Sequence, residues 1–305
     1  MNNLGDRFLL SGASGMLGNA LHRALAAPDT EILQLVRRSP SPGEIQWNSA
    51  ADPPLADSTP LEGLTAAIHL SGANLSAHRW TPEYRREIVS SRVDSTRALA
   101  STLARLRNPP QALLVASAVG IYGDRADELL NESSPLGSGF LAEACVSWEA
   151  AAQPAVDAGI RVVHLRFGVV LSRGAGALAR MEPIFRLGIG GRLGSGRQWM
   201  SWISLPDLVL AIQFVLQTPA LSGPVNVVSP YPVTNAEFTR SLAHQLERPA
   251  FIPTPTFALR LVLGQMADEA LLASTRAYPR KLLDAGFYFV QPTIDDTLAA
   301  AFDYS

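Results

Sequence analysis

Short apolar runs alternate with amphipathic segments of helical length along most of this chain. The apolar runs, which predict buried strands, cover residues 8–11, 32–36, 66–70, 112–116, 160–165 and 224–228. Apolar residues at helical spacing between them predict helices over 16–27, 81–106, 139–158 and 206–217. This rhythm is typical of βαβ units around a parallel sheet that is covered on both faces. The pattern therefore predicts an α/β fold with a doubly wound parallel sheet.

The pattern changes in the second half of the chain. Residues 168–200 are rich in glycine and arginine and predict a largely irregular, cleft-facing insertion with one helix inside it. From residue 231 onward, prolines interrupt short helical segments, which predicts a small, mainly helical C-terminal lobe. We therefore expect two domains, a larger one over 1–230 and the lobe over 231–305.

Composition excludes several functional classes. The 305 residues are 47% apolar and 17% charged, which is typical of a globular protein with a large core. The formal net charge of -2 gives no electrostatic reason to expect nucleic-acid binding. The single cysteine, Cys145, excludes an internal disulfide and a multi-cysteine zinc site, and the five histidines lack metal-binding spacing, so no metal is expected. No apolar run approaches the ~20 residues of a membrane span, so a cytoplasmic location without membrane attachment is the default expectation.

A glycine-rich turn follows the first predicted strand and opens the first predicted helix. In such a turn the first glycine permits a tight bend, the second lets a diphosphate approach the backbone, and the third allows the helix to pack closely on the strand. Amides at the helix N-terminus then bind the phosphates. The alternative is a turn that serves packing alone. We predict a Rossmann-type dinucleotide site whose first contacts are Gly12, Ser14, Gly15, Met16, Leu17 and Gly18.

The end of the second predicted strand indicates which dinucleotide binds. NAD sites usually place an acidic residue there to bind the ribose 2′-hydroxyl, whereas this chain has Arg37 and Arg38. Guanidinium groups can bind a 2′-phosphate through two hydrogen bonds, so NADP(H) is preferred over NAD(H). The alternative is that both arginines are merely solvated. The small residues of Leu70-Ser71-Gly72 end another strand, where the backbone would lie close to the cofactor.

The chain resembles the short-chain dehydrogenases/reductases of the extended, epimerase-like type, and most closely the branch of YfcH-type and SDR39U1-like epimerase family proteins. The motifs that carry the resemblance are GASGMLG at 12–18, SGAN at 71–74, SAVGIYG at 117–123, RFGVVL at 166–171, GSGRQW at 194–199 and SWI at 201–203. The resemblance implies an NAD(P)-binding Rossmann domain, a small substrate lobe and a cleft between them. It also implies cofactor contact for Arg166 and substrate contact for Gln198, Trp199 and Trp202, although buried packing is the alternative for both tryptophans.

The catalytic pattern of that superfamily is missing from this chain. Its usual enzymes carry Tyr-x-x-x-Lys on the helix predicted over 139–158, but the best alignment puts Leu141 and Cys145 at those two positions. A shift by one residue does not restore the pair. The only lysine of the chain, Lys281, lies in the C-terminal lobe.

Ser117 and Tyr122 are the catalytic candidates, with Glu143, Glu149 and His78 as alternative proton donors, and two functions remain open. Ser117 lies one residue before the position of the superfamily's serine, and Tyr122 lies in the loop that follows. The first function is an NADP(H)-binding, epimerase-like oxidoreductase with a non-standard proton donor and an unidentified small-molecule substrate. The alternative is a non-catalytic NADP(H)-binding sensor or scaffold. A second copy of this chain, in a homodimer, is a candidate partner, and the sequence does not determine the oligomeric state.

Overall fold

A seven-stranded parallel sheet forms the centre of the structure, a computed structural model that describes residues 5–302. The strands of the chain are β1 (Arg7–Ser11), β2 (Glu31–Val36), β3 (Glu44–Gln46), β4 (Ala66–His69), β5 (Ala112–Ala118), β6 (Leu129–Leu130), β7 (Arg161–Phe167), β8 (Val169–Ser172), β9 (Trp199–Met200), β10 (Trp202–Ser204), β11 (Gly223–Val227), β12 (Val233–Thr234) and β13 (Arg276–Ala277). The central sheet has the spatial order β11-β7-β5-β4-β1-β2-β3, and neighbouring strands in it are parallel. The predicted doubly wound Rossmann sheet is confirmed.

Ten α-helices lie within the described residues. They are α1 (Met16–Leu25), α2 (Pro82–Ala104), α3 (Phe140–Ala150), α4 (Gln153–Asp157), α5 (Gly176–Arg186), α6 (Leu205–Gln217), α7 (Asn235–Gln245), α8 (Thr256–Leu263), α9 (Arg280–Asp284) and α10 (Ile294–Phe302). Short 3-10 turns occupy Thr59–Leu61 and Val119–Tyr122, and a π-helical turn occupies Ala267–Leu272. Among the described residues no helix is both long and apolar enough to cross a membrane.

Alternating side chains of the strands divide the core into two layers. Leu10 and Leu114 pack with Ile212 of α6 on one face of the sheet. Their neighbours Leu9 and Leu113 pack on the other face, in the cluster that includes buried residues of α2 and α4. Because successive strand residues point to opposite faces, each strand is apolar on both sides, as a sheet between two helical layers requires.

The helix boundaries follow local signals, with one correction. Helix α2 begins after Thr81, whose side chain accepts a hydrogen bond from the Tyr84 amide, as N-capping threonines do. The single helix expected over 139–158 is wrong, because the structure has α3 and α4 with a break between them. Pro154 lies in the first turn of α4, where a missing N–H is tolerated, but inside a continuous helix it would clash with the preceding turn.

The expectation of a largely irregular segment over 168–200 is also wrong in part. This segment contains β8, which pairs in parallel with β10, as well as the predicted helix, α5. Gly168 interrupts the apolar run just before β8 and hid it from the sequence pattern. A side chain at Gly168 would lie 2.6 Å from the Ser201 carbonyl oxygen, so glycine is required where the two chain segments approach.

Residues after 230 form α7 to α10 with the short strands β12 and β13, and they pack on the central domain. Phe238 of α7 and Leu298 of α10 share a buried cluster with Trp202 of β10. On α6, the buried Asp207 carboxylate accepts hydrogen bonds from the Val290 and Gln291 amides at 2.7 and 2.9 Å. The domain division near residue 230 stays a prediction. The outermost residues of the two predicted domains, 1–4 and 303–305, lie outside the described part of the chain.

Candidate dinucleotide-binding site

A cavity of about 730 Å³ lies at the carboxyl ends of β1, β2 and β4. Open α/β sheets bind their ligands at this edge, and the volume lies in the range of cofactor sites. The predicted cofactor residues that line the cavity are Gly12, Ser14, Gly15, Arg37, Arg38, Leu70, Ser71 and Gly72. The predicted contacts Met16, Leu17, Gly18 and Arg166 do not line it.

Each glycine of the turn meets a different steric demand. Gly12 has a φ of 75°, and a side chain there would lie 2.9 Å from the Leu70 carbonyl. A side chain at Gly18 would lie 2.2 Å from the Gly12 oxygen, so this glycine lets α1 pack against the turn. Gly15 is the N-cap of α1 and offers no side chain to its amides. The first turn of α1 therefore presents uncapped amides suited to an anion.

The two arginines after β2 have different surroundings. Arg37 is exposed at the cavity and has no hydrogen bond or ion pair with any described residue. Arg38 forms a bidentate ion pair with Glu44, which begins β3, with nitrogen–oxygen distances of 2.7 and 2.5 Å. This hydrogen-bonded pairing raises the pKa of Arg38 and lowers the pKa of Glu44. Arg37 is thus the available cation, whereas Arg38 is already paired.

Helix α2 supplies a cavity wall that our sequence analysis missed. Glu87, Ser91 and Ser95 line the cavity from this helix. Their spacing of four residues places all three on one helical face, so the sequence did contain a signal for this polar stripe. Asn19 and Trp47, contributed by α1 and by the segment after β3, line the cavity as well.

His69 lies beneath the cavity and is fully buried. Its Nδ1 is 2.6 Å from the Ser11 hydroxyl and its Nε2 is 3.0 Å from the Ser95 hydroxyl. Burial lowers the pKa of His69 to about 4, so the ring is neutral at pH 7. His69 is therefore a hydrogen-bonded side chain of the core. Within residues 5–302, no group of three His, Cys, Asp or Glu side chains could hold a metal ion.

Arg92 of α2 places a largely immobilised cation beside the cavity. Its guanidinium donates to the Ala73 carbonyl at 2.9 Å and to the Ile88 carbonyl at 3.0 Å. It also stacks on the Trp148 ring of α3, 5.1 Å from the ring centroid. A side chain at Gly72 would lie 3.2 Å from this guanidinium, so Arg92 lies directly against the loop that lines the cavity.

One face of α3 carries the two residues that the sequence alignment puts at the positions of the missing catalytic pair. Leu141, Cys145 and Glu149 are four residues apart and share this face. Leu141 packs near Gly120, and Cys145 is buried. Burial raises the pKa of the Cys145 thiol to about 12, which leaves it protonated and unreactive at pH 7. The two residues that the sequence alignment puts at the positions of the tyrosine and the lysine are thus an aliphatic side chain and an unreactive thiol.

Glu149 anchors a buried polar network between α3 and the sheet. Its carboxylate accepts a hydrogen bond from Ser117 Oγ at 2.7 Å and two from Arg166 at 2.8 Å each. Arg166 also donates to the Tyr122 hydroxyl at 3.0 Å, and that hydroxyl donates to Asn226 Oδ1 at 2.7 Å. Burial raises the pKa of Tyr122. Thus Ser117 and Arg166 both bind Glu149, Arg166 also binds Tyr122, and none of these three predicted residues lines the cavity.

The three residues predicted to contact substrate have different exposures. Gln198 is buried, and its amide donates to the carbonyls of Leu193 and Leu271. Trp202 is fully buried, and its indole donates to a backbone carbonyl at 3.1 Å. Trp199 is half-buried, with the Arg276 guanidinium stacked 4.1 Å from its centroid. The substrate role of all three stays a prediction, and Trp199 is the only one of them with an exposed surface.

Comparison with known proteins shows which sequences this chain resembles. The model of the NAD dependent epimerase/dehydratase family matches residues 8–229, and a domain of unknown function, DUF1731, matches residues 254–301. The chain is 44% identical over 293 residues to the epimerase family protein MT2273 of Mycobacterium tuberculosis, and the matched region covers 96% of each chain. It is 35% identical over 295 residues to the human epimerase family protein SDR39U1, which covers 96% of this chain and 98% of the human protein.

A solved structure agrees with these matches. The crystal structure of human epimerase family protein SDR39U1 (isoform 2) with NADPH superposes with a TM-score of 0.90 at 33% sequence identity, covering 98% of this chain and 100% of that chain. The sheet order, the glycine turn and the cavity at the carboxyl edge of the strands are consistent with these likenesses. The chain belongs to the NAD dependent epimerase/dehydratase family.

Proposed function

We propose that this chain binds NADP(H) in the cavity, in preference to NAD(H), and acts as an epimerase-family oxidoreductase on a small molecule. One observation carries the proposal: the uncapped N-terminus of α1 and the unpaired, exposed Arg37 open into the same cavity. A diphosphate and a 2′-phosphate are the anionic groups that such a pair of features would bind. A human relative crystallised with NADPH supports this choice of cofactor.

The cavity residues fit a dinucleotide along its length. The turn from Gly12 to Gly15 leaves room for a diphosphate next to the backbone, and Arg37 follows the end of β2, where dinucleotide sites of this fold bind the 2′ substituent of the adenosine ribose. Ser71 and Gly72 offer small side chains at the end of β4, where the cofactor must pass close to the chain. When bound, the nicotinamide would supply the hydride donor or acceptor of the reaction.

For Ser117 and Tyr122 we propose a positioning role. Both side chains are buried and hydrogen-bonded inside the Glu149–Arg166 network, so neither hydroxyl is free to face the cavity. Their bonds hold α3 against the ends of β5 and β7. Among the polar groups that line the cavity from α2, Glu87 is the ionisable one, and we propose it as a group that could exchange protons with a substrate.

The structure also favours a second candidate function, a non-catalytic NADP(H) sensor. The observation behind it is that Leu141 and Cys145 occupy the face of α3 where the superfamily's acid–base pair stands. General acid–base help is worth about 10²–10⁴-fold in rate, so its loss could abolish useful turnover. Panels of carbonyl compounds, with the absorbance of NADPH followed, and of nucleotide sugars, with the sugar products analysed because epimerisation consumes no cofactor, separate the two functions. Steady consumption of NADPH supports the enzyme, and tight binding without turnover supports the sensor.

Replacing Arg37 tests the cofactor preference. Arg37→Met removes a charge-assisted contact to the 2′-phosphate, so the dissociation constant of NADPH should rise about tenfold or more. NADH lacks this phosphate, and its affinity should change by less than about twofold. Calorimetric titration of both cofactors measures the two effects. Arg240→Met, an exposed arginine on α7 outside the cavity, is the matched control. Equal losses of affinity for NADPH and NADH would show that Arg37 does not bind the 2′-phosphate.

A further inference from the structure

The cavity wall near Arg37 contains an acid that the sequence analysis did not consider. Glu44 begins β3, and its backbone neighbour across the sheet is Gln34 of β2. Both Glu44 and Arg38 line the cavity. The Glu44 side chain is only 12% exposed, whereas the Arg38 side chain is 62% exposed. The arginine therefore shields the acid from solvent.

The hydrogen bonds of the pair hold Arg38 on Glu44. Arg38 Nη1 and Nη2 each donate to one carboxylate oxygen, and Nη1 also donates to the Ser39 carbonyl at 2.9 Å. The Ser41 amide adds a third donor to the carboxylate, at 2.8 Å. The Arg38 hydrogen bond and the Ser41 amide lower the pKa of Glu44, so the acid is ionised at neutral pH. Without Arg38, a carboxylate charge would stand in the cavity wall.

An uncovered carboxylate at this edge would favour the wrong cofactor. An acid beside the adenosine ribose accepts a hydrogen bond from the 2′-hydroxyl of NAD, and it repels the 2′-phosphate of NADP. In this chain the acid comes from β3 rather than from the end of β2. Because Arg38 neutralises it, Arg37 remains as the net positive charge at this edge of the cavity.

We infer that Glu44 is a masked specificity residue, and that Arg38 favours NADP(H) by covering Glu44 rather than by contacting the 2′-phosphate. The inference rests on the proposed NADP(H) binding and assigns separate tasks to the two arginines. Arg37 attracts the phosphate, and Arg38 cancels the charge that would repel it.

A double-mutant cycle tests this division of tasks. The variants are Arg38→Met, Glu44→Gln and Arg38→Met/Glu44→Gln, each titrated calorimetrically with NADPH and NADH. Arg38→Met should weaken NADPH binding about tenfold or more, because the ionised Glu44 is then exposed, and NADH binding should stay equal or tighten. The double variant should bind NADPH within about threefold of the unmodified chain, because it lacks both the repelling Glu44 carboxylate and the Arg38 side chain that neutralises it.

The outcomes distinguish this inference from the proposed function. A double variant that binds NADPH as weakly as Arg38→Met overturns the inference, because Arg38 would then contact the phosphate itself, while NADP(H) binding stands. An unmodified chain that binds neither cofactor overturns the proposed function and the inference together. Thermal unfolding checks the fold of each variant, and Arg38→Gln repeats the cycle if Arg38→Met loses stability.

Discussion

At the scale of single residues, the geometry around His69 determines its protonation state. The Ser95 hydroxyl donates to the Ser91 carbonyl at 2.6 Å, so it must accept from the Nε2–H of His69. The Ser11 hydroxyl accepts from the Leu70 amide and can then donate to Nδ1. This chain of bonds is complete with a neutral ring. A second ring proton would face the Ser11 hydroxyl and break that arrangement in a buried site.

Acid should therefore destabilise the protein through His69. Its pKa is lowered from 6.5 to about 4 by burial, so between these values the unfolded chain takes up a proton that the folded chain does not. The contribution of His69 is complete above pH 6.5, falls as the pH drops toward 4, and amounts to about 3 kcal/mol. Urea unfolding at several pH values measures this fall. His69→Gln should flatten it, whereas His244→Gln, at an exposed position on α7, should not. An unchanged pH dependence in His69→Gln would contradict the assignment.

At the scale of elements, α3 is fastened to the sheet by a charge rather than only by apolar packing. Glu149 on α3 holds Arg166 on β7 and Ser117 on β5, so one carboxylate joins three elements. Arg166 is 4% exposed and depends on this partner. Burial alone would lower the pKa of Arg166, but the hydrogen bonds and the charge of Glu149 raise it. The arginine therefore stays charged inside the protein.

Removing this carboxylate should cost much of the protein's stability. Glu149→Ala leaves the Arg166 guanidinium buried without its counter-ion, and breaking such a pair typically lowers the free energy of unfolding by about 3–5 kcal/mol. Glu143→Ala removes an exposed acid from the same helix and should change it by less than about 0.5 kcal/mol. Urea unfolding of both variants measures the difference. A similar, small loss in the two variants would show that the network contributes little.

At the scale of the whole molecule, the C-terminal residues are joined to the central domain by buried polar contacts. The Asp207 carboxylate on α6 accepts the amides of Val290 and Gln291. The Glu132 carboxylate accepts the amides of Asn226 on β11 and Lys281 on α9. Separating the two parts would remove the Val290, Gln291 and Lys281 amides from these buried carboxylates, and loss of such hydrogen bonds is costly.

We therefore expect the chain to unfold as one cooperative unit. Tryptophans lie in both parts of the molecule, with Trp47 and Trp148 in the core of the central sheet and Trp202 in the cluster with α7 and α10. In urea, tryptophan fluorescence and far-ultraviolet circular dichroism should give coincident single transitions. Two separated transitions would show instead that the C-terminal lobe unfolds independently.

Local sequence signals predicted most of the fold and part of the candidate site. Six of the seven strands of the central sheet, the start of α2 at Pro82 and the glycine turn depend on neighbours within a few residues, so their patterns are visible in the sequence, whereas the short β3 was not predicted. The break between α3 and α4 and the short strand β8 were missed. The local sequence pattern indicates them only weakly, and packing in the folded chain determines where they lie. The α2 stripe of Glu87, Ser91 and Ser95 was visible as helical spacing but gave no indication of what it faces.

The sequence alone determined the α/β fold, the glycine turn at 12–18, the missing tyrosine–lysine pair and the family, since each depends on residue identity and short-range spacing. Only the tertiary structure decided which arginine is free, because Glu44 reaches Arg38 from a different strand. It likewise decided that Tyr122 and Trp202 are buried, since their partners, Asn226 and Tyr231, lie 104 and 29 residues away along the chain. Burial and charge pairing over such separations arise from the assembled packing, which no local pattern encodes.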